Sequence, residues 1–228
     1  MTTTPPIPDP TPGPAHLQAF RDRLASLPDP SPHAPYRILL SGCLAGWTCG
    51  VDGSDNGFGA SPWSAFYQFL RSDPRIHLLS FCPEQHAMGT PRRTPDLHGG
   101  DGAAVLAGRA HARFEDGEDC TDAMIAGAKA MVAFAQHERA DFALLVDASG
   151  ACGSQVISLG SRFVPVRQHQ RGMGVAAAAL YAAGFPLCSQ RDHRSLALLR
   201  HRFDPTVPVD PTLRDHHDHP WTRSYFAQ

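Results

Sequence analysis

The chain has 228 residues, of which 42% are hydrophobic and 18% charged, with a formal net charge of −2. That length bounds it to one domain, or one domain with a tail, and lets it hide roughly 70% of the surface of the extended chain. The composition excludes a wholly disordered protein, the charge supplies no basic stripe for an obligate nucleic-acid partner, and no apolar run approaches the ~18 residues of a membrane-spanning helix.

The opening MTTTPPIPDP has neither the charged nor the apolar region of a secretory leader, so a reducing cytoplasm is the expected location. Residues 1–35 read as a proline-punctuated extension, since PPIPDPTPGP and LPDPSPHAP cannot propagate a helix or a ladder. Within it, Leu17, Phe20, Leu24 and Leu27 have the spacing of a short amphipathic helix lying on the body. A single α/β domain is expected over 36–203. Its apolar runs Arg37–Ser41, Ile76–Phe81, Phe142–Val146 and Phe185–Cys188 alternate with helices. These helices are expected to begin at Ser61-Pro62, at Thr121 as a cap, at Gly174 and at Asp192. Continuous apolar strands separated by helices predict a three-layer fold, a mostly parallel sheet with helices on both faces. Residues 204–228 show little apolar periodicity and are expected to form a loosely packed tail.

Six cysteines stand at positions 43, 49, 82, 120, 152 and 188. Cys43, Cys82 and Cys152 each follow an apolar strand, in loops rich in Gly, Ser or Pro. In open α/β sheets the ligand crevice lies outside the carboxyl ends of the strands, so three thiols at three such ends can converge. Thiolates favour zinc or iron–sulfur clusters. The short paired spacings of structural zinc sites are absent from the sequence, and three distant cysteines suit a cubane with one iron left open. Cys49, in the loop Cys49-Gly-Val-Asp-Gly53, reads as a fourth ligand, a resolving thiol or a reactive residue near the site. Cys120 and Cys188 read as small core residues.

The segments Ser41-Gly-Cys43-Leu-Ala-Gly46, Cys49, Asp52-Gly53, Cys82-Pro-Glu84, Thr90-Pro-Arg92, Gly99-Gly-Asp-Gly102, Asp119 with Thr121, and Ser149-Gly-Ala-Cys152-Gly153 occur in this order. Over about residues 36–190 the chain thereby resembles the thiouracil desulfidase family, also labelled domain of unknown function 523. The resemblance implies a [4Fe–4S] cluster held by Cys43, Cys82 and Cys152, and non-redox desulfidation of a small thiolated base such as thiouracil to the oxo base and sulfide. Three segments depart from the family pattern. Ser149-Gly-Ala-Cys152-Gly153 stands for Ser-Pro-Ser-Cys-Gly, Gly50-Val51 for Arg-Tyr, and the lone Gly89 for a double glycine. The cysteines are kept while their neighbours differ, so the resemblance speaks for the cluster before the base.

Attack of water on such a ring needs a base, and Glu84, two residues from a ligand, is the first candidate. Ser149, Ser154 and Ser41 are candidate donors to substrate or cluster sulfur. Asp52 suits an Asx turn, Arg92 a contact to a base carbonyl or a phosphate, and Arg93 a surface salt bridge. Gly99–Gly102 reads as a turn and Gly172-Met-Gly174 as a helix start. His216-His-Asp-His219 reads as an adventitious metal binder outside any catalytic site. Two other functions remain open at this point: a non-catalytic cysteine-based metal or sulfur-binding module, and a thiol redox protein using Cys43 and Cys49. The oligomeric state is not legible.

Overall fold

A computed structural model describes residues 14–227. The proline-punctuated start, on which the leader expectation also rests, lies outside the described residues. The chain runs through helix α1 (Ala15–Ser26), strand β1 (Tyr36–Ser41), α2 (Trp63–Ser72), β2 (Ile76–Phe81), α3 (Pro83–Met88), β3 (Pro95–His98), α4 (Gly102–Leu106) and β4 (His111–Phe114). It continues with α5 (Thr121–His137), β5 (Phe142–Leu145), β6 (Val156–Ser158), β7 (His169–Arg171), α6 (Val175–Ala182), β8 (Leu187–Ser189), α7 (His193–Phe203) and α8 (Pro220–Tyr225). Among the described residues, no helix is long and apolar enough to cross a membrane.

Four strands form the central sheet in the order β2-β1-β5-β8, every neighbouring pair parallel. Successive side chains point to opposite faces, and both faces are buried. Ile38, Leu40, Phe142, Leu144 and Cys188 pack on one side with Leu17 and Phe20 of α1, Leu70 of α2 and Leu199 and Phe203 of α7. Leu39, Ala143, Leu145 and Leu187 pack on the other with Met124, Ala128 and Met131 of α5 and Val175 and Leu180 of α6. The three-layer parallel architecture is therefore as the apolar runs foretold. Two antiparallel pairs, β3–β4 and β6–β7, flank it and were not foreseen, because each strand is only three or four residues long. The chain order β1, β2, then β5 on the far side of β1 puts a reversal of direction at the carboxyl end of β1, where ligand crevices form.

Three local expectations need correction. Ser61 does not cap α2: its hydroxyl donates to the carbonyl of Phe58, and the helix starts at Trp63. Thr121 is the first residue of α5, not its cap, because its Oγ1 instead accepts the Ala112 N–H at 2.9 Å. The segment after Phe203 is also not a loose wrap. Asp215, His216, Asp218 and Thr222 are buried, held by polar partners that apolar periodicity does not register.

Helix α1 seals one face with Leu17, Phe20 and Leu24, and it also buries His16 edge-on to Tyr181. Burial lowers the His16 pKa to about 4. The folded pKa lies below the unfolded one, so the neutral ring's contribution is intact above the unfolded value of 6.5 and is lost as pH falls toward 4. Chemical denaturation across that window checks this. Relative to His16→Leu, the wild-type chain should lose about 3 kcal/mol between the two pH values. Parallel pH profiles would contradict the assignment.

Candidate active site

Each of the three cysteine loops leaves the carboxyl end of a parallel strand by its own device. After β1, a 3₁₀ turn over Gly42–Ala45 carries Cys43 and ends at Gly46, whose φ is +78°. Gly42 has no room for a side chain: a Cβ there would stand 2.9 Å from Trp47 Cε3 and 3.1 Å from the Cys82 Cβ. The missing side chain lets the Cys43 and Cys82 loops touch. Cys49 follows in a tight loop in which Asp52 Oδ1 accepts the Ser54 N–H at 2.9 Å, the expected Asx turn.

After β2, Cys82 is itself the cap of α3, with Pro83 at the first helical position. Its Sγ accepts the Gln85 N–H at 3.4 Å, a donor suited to a thiolate. After β5, the Cys152 loop is folded by two acceptor side chains. Ser149 Oγ accepts the N–H groups of Ala151 and Cys152 at 3.2 and 3.1 Å. Asp147 Oδ1 accepts those of Ala148, Ser154 and Gln155 at 3.0, 3.1 and 3.3 Å. Ser41 Oγ accepts the Val146 N–H at 3.1 Å, tying the end of β1 to that of β5, and its hydroxyl acts to lower the Cys152 pKa against the larger rise from burial.

These devices bring Cys43, Cys49, Cys82 and Cys152 into one cavity of about 300 Å³, together with Glu84, Ser149 and Ser41. The three expected ligands and the expected catalytic residues Glu84, Ser149 and Cys49 thus line the same space. Ser154 does not: its hydroxyl is buried, without a partner, and away from the cavity. Cys120 and Cys188 are buried elsewhere in the core, as expected.

Three of the four thiols, those of Cys49, Cys82 and Cys152, are held toward their protonated form. Hydrogen bonding with Cys43 raises the Cys49 pKa most, burial adds to it, and the value reaches about 11. Hydrogen bonding to Cys49 and burial raise Cys82, and burial raises Cys152. A redox-active thiol needs a lowered pKa, and the Cys49 thiol is raised instead, which speaks against its use as the attacking thiol of a redox protein. Proton-holding thiols packed against each other are instead what a thiolate-binding centre displaces on loading. Among the described residues, no group of three or more His, Cys, Asp or Glu could hold a single metal ion. A cubane does not need that convergence, since each thiolate meets its own iron. Cys43, Cys82 and Cys152 are free thiols of the donor class that iron–sulfur clusters take.

Arg92 is not free to meet a substrate. Only 5% of its side chain is exposed; one Nη pairs with Glu84, and the other donates to the Cys49 carbonyl at 3.0 Å and to Thr90 Oγ1 at 3.1 Å. It fastens the Cys49 loop to α3 and fixes Glu84, which is 14% exposed, at the cavity wall. Arg93 is the surface ion pair foreseen, bonded to Asp116 and Glu118 at 2.6 Å. Gly99–Gly102 is a turn, with Asp101 capping α4, and Gly174 precedes α6. Residues missed in the sequence also line the cavity. Arg162 reaches it from the β6–β7 connection, its Nε held by Asp96 at 2.8 Å, and Asn56, Phe58 and Asp147 line it too. No local motif marks any of them; they arrive through long-range folding.

The family model described as 2-thiouracil desulfurase matches residues 38–192. The Bacillus subtilis (strain 168) protein YbbK, described as uncharacterized, is 31% identical over 156 residues, 68% of this chain and 96% of that protein. A solved structure described as the [4Fe–4S]-dependent thiouracil desulfidase TudS (DUF523Vcz) superposes with a TM-score of 0.57 at 30% identity. It covers 72% of this chain and 97% of that one. The matched segment begins inside β1 and ends just past β8, so it contains most of β1, the other three parallel strands and all three cysteine loops. The chain belongs to the 2-thiouracil desulfurase family.

Proposed function

We propose that this protein hydrolyses the C–S bond of a thiolated nucleobase such as thiouracil, releasing the oxo base and sulfide, at a [4Fe–4S] cluster held by Cys43, Cys82 and Cys152. The observation that carries this reading is the meeting of thiols from three separate strand ends in one cavity, in a chain of this family. The catalytic body is residues 36–203, between an N-terminal extension over 1–35 and a tail over 204–228. A reducing cytoplasm suits a centre that needs free thiolates.

When bound, the cluster supplies an open iron that acts as a Lewis acid toward a thione sulfur. The balance is one water consumed and one sulfide released for each thione converted to a carbonyl, with no electron gained or lost. The protein's own groups do the rest. Glu84 Oε2 is occupied by Arg92, which leaves Oε1 to take the proton of an incoming water. Cys49, neutral and 3% exposed, is placed to donate a hydrogen bond toward the substrate. The Ser149 hydroxyl, its oxygen already engaged by two backbone N–H groups, has its own proton to offer a ring nitrogen or carbonyl. The Ser41 hydroxyl favours the Cys152 thiolate, which tunes the centre.

Anaerobic purification and metal analysis test the reading. Wild-type protein should be brown, with about four iron and about four inorganic sulfide per chain, and should convert thiouracil to uracil and sulfide. Cys43→Ala, Cys82→Ala or Cys152→Ala should lose the cluster and turnover, whereas Cys188→Ala should keep both. A colourless wild-type protein would end the proposal, and a brown one inert toward every thiolated base would favour a non-catalytic carrier. Glu84→Gln should retain iron yet lose at least about 100-fold in kcat; unchanged turnover would remove Glu84 from the mechanism. Arg92→Met leaves the Glu84 carboxylate at the cavity wall without its cation. Urea denaturation should register a loss of about 3 kcal/mol, and a loss below about 1 kcal/mol would show that the pair does not hold the loop.

A further inference from the structure

Asp147 is wholly buried at the carboxyl end of β5, and its Oδ1 gathers the backbone N–H groups of the Cys152 loop. Its other oxygen meets Nδ1 of His216, a residue far along the chain and outside the matched segment 38–192. The His216 ring is 3% exposed, and its backbone N–H donates to Asp192 Oδ1 at 3.1 Å. Asp192 accepts the side-chain amide of Gln155 with that same Oδ1, at 2.7 Å. His216 therefore grips the Cys152 loop twice, through Asp147 and through Asp192. The next residue back, Asp215, is anchored in turn by Ser195 of α7 and by Arg21 of α1.

We propose that His216 is a positioning residue for Cys152, and that the C-terminal segment is a strap holding the β5 loop in the shape that presents this thiol to the cavity. The proposal rests on the assignment of Cys152 as a cluster ligand. Its physical basis is the cost of a buried carboxylate. Four backbone N–H groups approach Asp147 Oδ1, whereas, among the described residues, Oδ2 is served by the His216 ring alone. Without that ring, Oδ2 is left dry and unbonded, a penalty the loop escapes by opening toward the cavity. Ala148, beside Asp147, makes the loop ready to open: its φ of +59° is left-handed, a conformation costly for a residue with a side chain. The adjoining hydrogen bonds, from Ala148 N–H to Asp147 Oδ1 and to the Val156 carbonyl, hold it there.

His216→Ala and His216→Asn, whose amide nitrogen can stand in for Nδ1, separate positioning from general stability. The first readout is amide hydrogen exchange in the metal-free protein. His216→Ala should speed exchange at Ser154, Gln155 and Val156 by about tenfold, leave Leu39 and Leu40 of β1 unchanged, and be largely rescued by His216→Asn. The second readout uses the anaerobically loaded protein, where iron should pass to a chelator several-fold faster from His216→Ala than from wild type or His216→Asn. Unchanged loop exchange would overturn the strap, as would faster exchange spread evenly into β1. If wild-type protein takes up no cluster, the functional reading fails on its own, while the exchange data still decide whether His216 holds the loop.

Discussion

The parallel pairing of β1 with β2 on one side and β5 on the other decides where the chemistry can be. Ser41 pairs with Phe81, and Leu40 with Leu144, so the three strands finish at nearly the same level. Each chain then turns within a few residues, and each turn carries a cysteine. A slip of the pairing would carry one thiol away from the others and turn buried side chains to the wrong face. Burial on both faces opposes such a slip, with aliphatic and aromatic side chains packed on each side of β1 and β5. The hydrophobic core therefore acts on the site through strand level rather than by contact.

Strand level alone does not aim a sulfur. The three loops are set by buried polar acceptors and by one close glycine contact, each answering a different backbone demand. Cys82 is fixed by helix capping, Cys43 by the space at Gly42, and Cys152 by the oxygens of Ser149 and Asp147. The first two devices lie within the cysteine's own motif. The third does not, because Asp147 leans on His216 and so on the chain's last segment. The C-terminal segment, outside the family match, thus reaches the matched segment through His216, while Asp215 ties it to α1 and α7.

Much of this was legible in the sequence. Apolar runs of four to six residues between helices can be satisfied only by a sheet covered twice, which gave the layers. Loops after those runs gave the cysteine positions. Short-range chemistry was readable too: the turn at Asp52 and the buried stripe of α1 follow from neighbours a few residues apart. What failed was long-range and polar. Thr121 suits a cap, yet the Ala112 N–H claims its hydroxyl. Arg92 suits a ligand contact, yet Glu84 and the Cys49 carbonyl claim its guanidinium. The segment after Phe203 lacks apolar periodicity, yet Asp215 and His216 in it are buried against partners far away in the chain. Arg162 enters the cavity from a connection that carries no motif.

The most direct measurement is a Mössbauer spectrum of ⁵⁷Fe-loaded protein, taken anaerobically with and without thiouracil. Three cysteine ligands leave one iron of the cubane distinct, so about a quarter of the iron signal should move when the thione is added, and it should stay put with uracil. Four equivalent irons, indifferent to either base, would mean that the cavity does not hold an open coordination site, and the account of its chemistry would be wrong.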